Sequence, residues 1–133
     1  MSKIIHMSGK RKSAVARATV KEGKGIVKIN NINLEVYSSR LARMKIQEPL
    51  ILAGQLASAV DIYVQVDGGG MISGADAVRL AIGRGLAKYF EKEDLKQTFL
   101  DYDRMLLVAD VRHKETCKPN DSKARAKRQK SYR

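Results

Sequence analysis

The sequence has 133 residues and 44% apolar content, enough for one domain with one modest core. Lys and Arg number 26 against 14 Asp and Glu, a net charge of +12, so a polyanionic partner is expected. The absence of Trp, the 5% aromatic content and a longest charge-free stretch of only 49–60 argue against a membrane partner or span, and the single Cys117 excludes an internal disulfide.

In chain order, the opening MSKIIHMSGKRKS has no apolar run before a cleavage site, so the expectation is a soluble intracellular chain without a secretory leader. Lys10-Arg11-Lys12, beside Ser8 and Gly9, reads as a loop presenting three cations. Ala14 to Lys21 reads as a strand, with Ala16, Ala18 and Val20 on one face and Arg17, Thr19 and Lys21 on the other. Glu22-Gly23-Lys24-Gly25 supplies turn chemistry, and Ile26 to Ile29 follows as the expected hairpin partner. Asn30-Asn31 is a further turn. Ser39 is a cap for a helix through Leu41, Met44 and Ile46, with Pro49 breaking or restarting it before Leu50 to Leu56.

Val60, Ile62, Val64 and Val66 alternate with Asp61, Tyr63, Gln65 and Asp67 to give the clearest strand, half-buried, which Gly68-Gly69-Gly70 ends. Ser73 with Asp76 resembles a capping box, and Val78, Ile82, Leu86 and Phe90 share one face of the helix that follows. Gly83 and Gly85 each cost that helix about 1 kcal/mol relative to Ala. Glu91 to Leu100 predicts a short helix and Met105 to Val111 a buried strand. The elements add up to a two-layer body mixing helices and strands over 1–111. Residues 112–133 have almost no core-forming residues and predict a basic tail, disordered alone, able to reach about 70 Å when extended.

The charge is polarised along the chain. Residues 1–24 carry seven basic residues against one acidic, 112–133 carry nine against two, and the segment between is nearly balanced, with ten against eleven. In the tail, Lys123, Arg125 and Lys127 alternate with Ala124 and Ala126, small spacers that let an extended backbone approach phosphates while long cations reach either side. Tyr132 is placed to stack on an unpaired base or ribose, with a merely exposed ring as the alternative. Such contacts follow RNA shape more than base sequence.

No constellation points to catalysis. Gly68, Gly70 and Gly74 follow a strand and precede a helix, but their spacing is G-x-G-x-x-x-G without a complete βαβ unit, so a tight turn allowing close backbone approach is favoured over a nucleotide site. His113 and Cys117 lack two further ligands of suitable spacing, His6 is isolated, and no nucleophile turn of the Ser-His-Asp type is present. Asp101, Asp103 and Asp110 are better explained by solvation or ion pairs than by acid–base work. No cofactor is expected. A free-standing nucleotide-binding regulator using the Gly68–Gly70 turn stays open as the alternative. A DNA-reading helix is poorly supported, because Arg79, Arg84 and Lys88 do not share a clean face.

Gly9-Lys10-Arg11-Lys12-Ser13-Ala14-Val15-Ala16-Arg17-Ala18, then Gly68-Gly69-Gly70, Ser73-Gly74 and Asp76-Ala77-Val78-Arg79, then Gln129-Lys130-Ser131-Tyr132-Arg133, resemble the universal S-nine family of small-subunit ribosomal proteins over nearly the whole chain. The ending with Tyr before the final Arg resembles its archaeal and eukaryotic branch. The resemblance implies an α+β fold like the second domain of ribosomal protein S-five, with helices on one face of a four- or five-stranded sheet and a long extended basic tail. It implies a structural role in the head of the small subunit, in the cytoplasm, with the 3′ major domain of the ribosomal RNA and neighbouring head proteins as partners. The residues expected on ribosomal RNA are Lys10, Arg11, Lys12, Arg17, Arg79, Arg84, Arg112, Lys114, Lys118, Lys123, Arg125 and Lys127. The tail tip, Arg128, Lys130, Tyr132 and Arg133, is expected on the anticodon stem-loop of peptidyl-site transfer RNA.

Overall fold

Alternation of small or branched apolar residues with polar ones builds a five-stranded sheet in the computed structural model, which describes residues 3–120, 123–127, 129 and 131–133. Strand β1 (Ile4–Arg11) and β2 (Ala14–Glu22) form an antiparallel hairpin that closes at Lys12-Ser13, where Lys12 adopts φ +53°. β2 pairs on its other side with antiparallel β5 (Val60–Asp67), β5 pairs in parallel with the short β3 (Val27–Ile29), and β4 (Ile32–Asn33) completes the order β1-β2-β5-β3-β4. The β3–β4 turn is Asn30-Asn31, both left-handed, as a two-residue hairpin turn demands. The Asn30 side chain then behaves like another strand residue, with Oδ1 accepting from the Val66 amide at 2.8 Å and Nδ2 donating to the Val66 carbonyl at 3.3 Å.

Helices α1 (Arg40–Ala53), α2 (Met71–Phe90) and α3 (Glu93–Tyr102) follow. Ser39 caps α1 by accepting from the Ala42 amide at 3.3 Å. α2 lies on β1, β2 and β5, and α1 packs beside it. The interface is made of small residues on both sides: Ala14, Ala16 and Ala18 below, with Ala75, Ala77 and Ala81 above, all buried. Small side chains bring the helix backbone down onto the strands, and Val20, Ile29, Ile46, Ile62, Val78, Ile82, Leu86, Phe99 and Leu106 fill the space around that contact.

Five expectations are corrected. Lys10 and Arg11 belong to β1, leaving Lys12 and Ser13 as the turn. The segment Ile26–Ile29 is not the hairpin partner of β2, because β5 already occupies that edge. The Gly23 and Gly25 amides bond to Ala59 and Val60 carbonyls, and Asp61 accepts from the Lys24 and Ile26 amides at 2.9 and 3.0 Å, so the chain crosses the end of β5 instead. Pro49 does not break α1, which runs on to Ala53. Its ring is buried in the core, and that burial offsets the helical hydrogen bond it cannot donate. Gly70, not Ser73, is the N-cap of α2. Ser73 Oγ accepts from the Gly70 amide at 3.0 Å, while Asp76 pairs with Lys45 of α1 at 2.6 Å. Met105–Val111 is not a strand: Asp103 accepts from the Met105 amide at 2.9 Å, the Leu107 and Val108 amides bond back to Arg104, and these local bonds replace a ladder over a 3₁₀ turn at Arg104–Leu106. Beyond Val111 the described residues form no helix or strand.

Candidate RNA-binding surface

The cations sort into those held by the protein and those offered to solvent. Arg79, rising from α2, is mostly covered. Its Nε donates to Glu48 Oε2 at 2.6 Å, and Nη2 pairs with Glu48 and, at 2.9 Å, with Asp103. Arg84, five residues further along α2, donates from Nε to the Leu107 carbonyl at 2.9 Å and from Nη1 to the Ser8 carbonyl at 3.0 Å. Arg11 points from β1 to the helix side of the sheet and lies 3.4 Å from Asp110, which Arg112 grips with both ends of its guanidinium at 3.0 and 2.7 Å. The Arg112 side chain, then its amide, hold the Asp110 carboxyl well below the usual carboxylate range. Arg79, Arg84 and Arg11 thus fasten the segment after α3 to β1 and α2, while the largely exposed Arg112 pairs within that segment.

The second group is open. Lys10, exposed on β1, and Lys12, exposed in the turn, have no side-chain partner among the described residues. Arg17, exposed on β2, pairs with Asp67 at 3.1 Å across the sheet, a contact worth little because both groups are largely in water. After Val111, Lys114, Lys118, Lys123 and Lys127 are exposed without an ion pair among the described residues, and Arg125 donates to Glu115 at 2.8 Å. Tyr132 is 88% exposed and Arg133 is exposed; Arg128 and Lys130 lie outside the described residues. Cys117 is free and exposed, and no group of three metal-ligating residues is found among the described residues.

The glycine turn faces protein. Gly68 and Gly69 both have φ +70°, and a Cβ at Gly69 would meet Ala14 Cβ at 2.6 Å and its amide nitrogen at 2.9 Å, while one at Gly68 would meet the Ser13 carbonyl oxygen at 2.9 Å. The backbone these glycines let in is the start of β2, so the turn locks the β1–β2 hairpin against the end of β5. That use differs from a phosphate cradle, where glycines leave room for a ligand.

Sequence reasoning missed the open face of the sheet as a surface. His6, Ser8 and Lys10 of β1, Arg17 and Thr19 of β2, Tyr63 and Gln65 of β5 and Lys28 of β3 share it by register. The signal was present in the alternation of β2 and β5, but β1 and β3 had to be placed beside them first. Among the described residues no helix is long and apolar enough to cross a membrane.

Comparison with known proteins agrees with this arrangement. The family described as ribosomal protein S9/S16 matches residues 9–133. The chain is 49% identical over 133 residues to the small ribosomal subunit protein uS9 of Methanococcus maripaludis, covering 98% of this chain and 99% of that one. It is 51% identical over 131 residues to the protein of that name from Methanothrix thermoacetophila (98% and 99% covered) and 50% identical over 131 residues to that of Desulfurococcus amylolyticus (98% and 94% covered). With a family match over residues 9–133 and relatives near 50% identity over almost the whole chain, the chain belongs to the ribosomal protein S9/S16 family.

Proposed function

We propose that the protein is a structural, non-catalytic component of the small ribosomal subunit that binds ribosomal RNA. The observation that carries this reading is the end-to-end similarity to proteins named small ribosomal subunit protein uS9. The surface supports it: unpaired lysines cluster at the hairpin turn and along the C-terminal residues, the pattern of a chain that neutralises phosphates. Residues 1–111 serve as the body that seats in the head of the subunit on the 3′ major domain of the RNA, and 112–133 as a tail ordered by the RNA. Lys10, Lys12, Arg17, Lys114, Lys118, Lys123, Arg125 and Lys127 act directly on phosphates. Arg11, Arg79 and Arg84 act by holding the scaffold that carries the open cations, and the largely exposed Arg112 turns its spare Nη1 to RNA. The tip, Arg128, Lys130, Tyr132 and Arg133, reaches the anticodon stem-loop of peptidyl-site transfer RNA.

The test uses tagged full-length protein and an Arg133→Ala variant, each followed through a sucrose gradient from the source cells. Both are expected to co-sediment with small subunits. Subunits carrying the variant are expected to bind peptidyl-site transfer RNA about tenfold more weakly, the worth of one charge-assisted hydrogen bond. Full-length protein confined to the light fractions overturns the ribosomal reading, and unchanged transfer RNA affinity overturns the role of the tip.

A further inference from the structure

The face of the sheet turned away from the helices is covered by no other element among the described residues, and it is not flat. Between β1, β2, β5 and β3 it holds a depression of about 590 Å³, within the roughly 300–1,000 Å³ usual for sites that seat a small organic group. The lining is unusual for a surface that is merely wet. It contains Arg17, Lys28 and His6 and no carboxylate at all. Around the cations stand neutral donors and acceptors, Ser8, Thr19, Asn31 and Gln65, with the Tyr63 ring among them. The side chains of Ser8, Lys28, Asn31 and Gln65 have no hydrogen-bond partner among the described residues, whereas His6 Nδ1 and Thr19 Oγ1 are 3.0 Å apart.

Two features say what chemistry fits. Cations with no carboxylate in the lining, and only the weak, exposed Asp67 contact on Arg17, call for an anion, and the strands that carry them also carry amides and hydroxyls able to read the edge of a base. Only an unpaired nucleotide presents both a phosphate and a free base edge, together with a face for an aromatic ring. A protein partner fits less well. The centres of protein interfaces are depleted of lysine and enriched in aromatic and apolar groups, and Tyr63 is the one aromatic residue of the lining.

We propose that this open face of the sheet, through Arg17, Lys28, Tyr63 and Gln65, takes a short unpaired segment of RNA, a site separate from the hairpin turn and the tail. The proposal rests on the reading of the protein as an RNA-binding ribosomal component and adds to it a specific nucleotide seat. A base stacks on Tyr63, where Lys21 Nζ now lies 4.7 Å from the ring centroid and is free to lift to a phosphate. Arg17 gives up its exposed partner Asp67 at little cost, and Lys28 takes the phosphate on the β3 side. Gln65 and Ser8 meet the base edge or the ribose hydroxyl.

The experiment replaces Gln65, an exposed residue, with the photoreactive amino acid p-benzoylphenylalanine in the full chain and irradiates purified small subunits that contain it. The expected product is the chain joined to ribosomal RNA, seen as a band on a denaturing gel that ribonuclease collapses. Adding Arg17→Glu and Lys28→Glu should cut its yield about tenfold per chain incorporated into subunits, with the amount incorporated read on the gradient. A cross-link to a neighbouring protein makes the face a protein dock and overturns the proposal. So does the absence of any cross-link from subunits that contain the chain. Failure of the unsubstituted chain to enter subunits overturns the ribosomal reading itself, and the gradient keeps that failure distinct.

Discussion

Gly9 lies where β1 passes beneath α2, and a methyl group there would sit 2.2 Å from the Ala77 carbonyl oxygen and 2.8 Å from the Ala81 amide nitrogen. At Gly83 it would sit 2.5 Å from the Leu106 carbonyl oxygen, and at Gly85 2.8 Å from Val20 Cγ2. The sequence showed the two helix glycines only as a propensity cost. Their reason is long-range packing, which no local pattern reveals: the helix spends its intrinsic stability to let other backbone come close. The expected order of damage follows from what the new methyl strikes. Gly9→Ala and Gly83→Ala meet backbone that must move and should each destabilise by about 1–3 kcal/mol. Gly85→Ala meets a side-chain methyl and regains about 1 kcal/mol of helix propensity, so it should change stability much less. Urea unfolding of the three variants checks the order; equal effects would mean that propensity, not contact, decides.

Among the elements, α2 is the member that ties the others together. Arg79 connects it to α1 through Glu48 and to the end of α3 through Asp103, with a side chain only 12% exposed. Truncating it strands two carboxylates. Because those partners keep some water, the expected loss for Arg79→Ala is about 2 kcal/mol, below the 3–5 of a fully buried pair. Thermal unfolding measures it, and Arg79→Lys should not restore it, since an ammonium cannot serve both acids with the same fork. The elements themselves were legible to different degrees. β2, β5 and α2 announced themselves because one face of each is buried and its period is clean. β1 was hidden by polar residues: its helix-side row includes Gly9 and Arg11, which do not look like core. The pairing of β3 was misassigned because a Gly-rich stretch between two strands signals a hairpin locally, while Asp61 decides the path from across the sheet.

For the molecule as a whole, charge and acid stability have separate sources. The excess of basic residues near both chain ends was plain from sequence. Which arginines are spoken for inside the protein was not, since Glu48, Asp103 and Asp110 reach them only through the tertiary fold. The acid side follows from those contacts. Asp61 is held below its ordinary value by the Ile26 and Lys24 amides. For Asp103, burial pushes upward but the Met105 amide and Arg79 outweigh it, and Asp110 is lowered by Arg112. A carboxylate lowered on folding contributes stability that is complete above its unfolded value, 3.8 for Asp, and is lost as pH falls through the folded value. The urea midpoint is therefore expected to stay level from neutral pH to about pH 5 and to drop steeply below about pH 4. Asp61→Asn should lower the plateau and flatten part of that drop. A midpoint that fell between neutral pH and about pH 5 would show that these carboxylates do not control it.

The fastening of the segment after α3 also decides how the protein behaves when pulled. Leu107 is held by Arg84 of α2, and Asp110 by Arg11 of β1, just before the chain leaves the body. Tension on the C-terminal residues is therefore delivered to the turn end of the β1–β2 hairpin and the longest helix, rather than peeling the domain open from α3. A domain tethered in this way can have its C-terminal end pulled while the fold that carries the end stays shut.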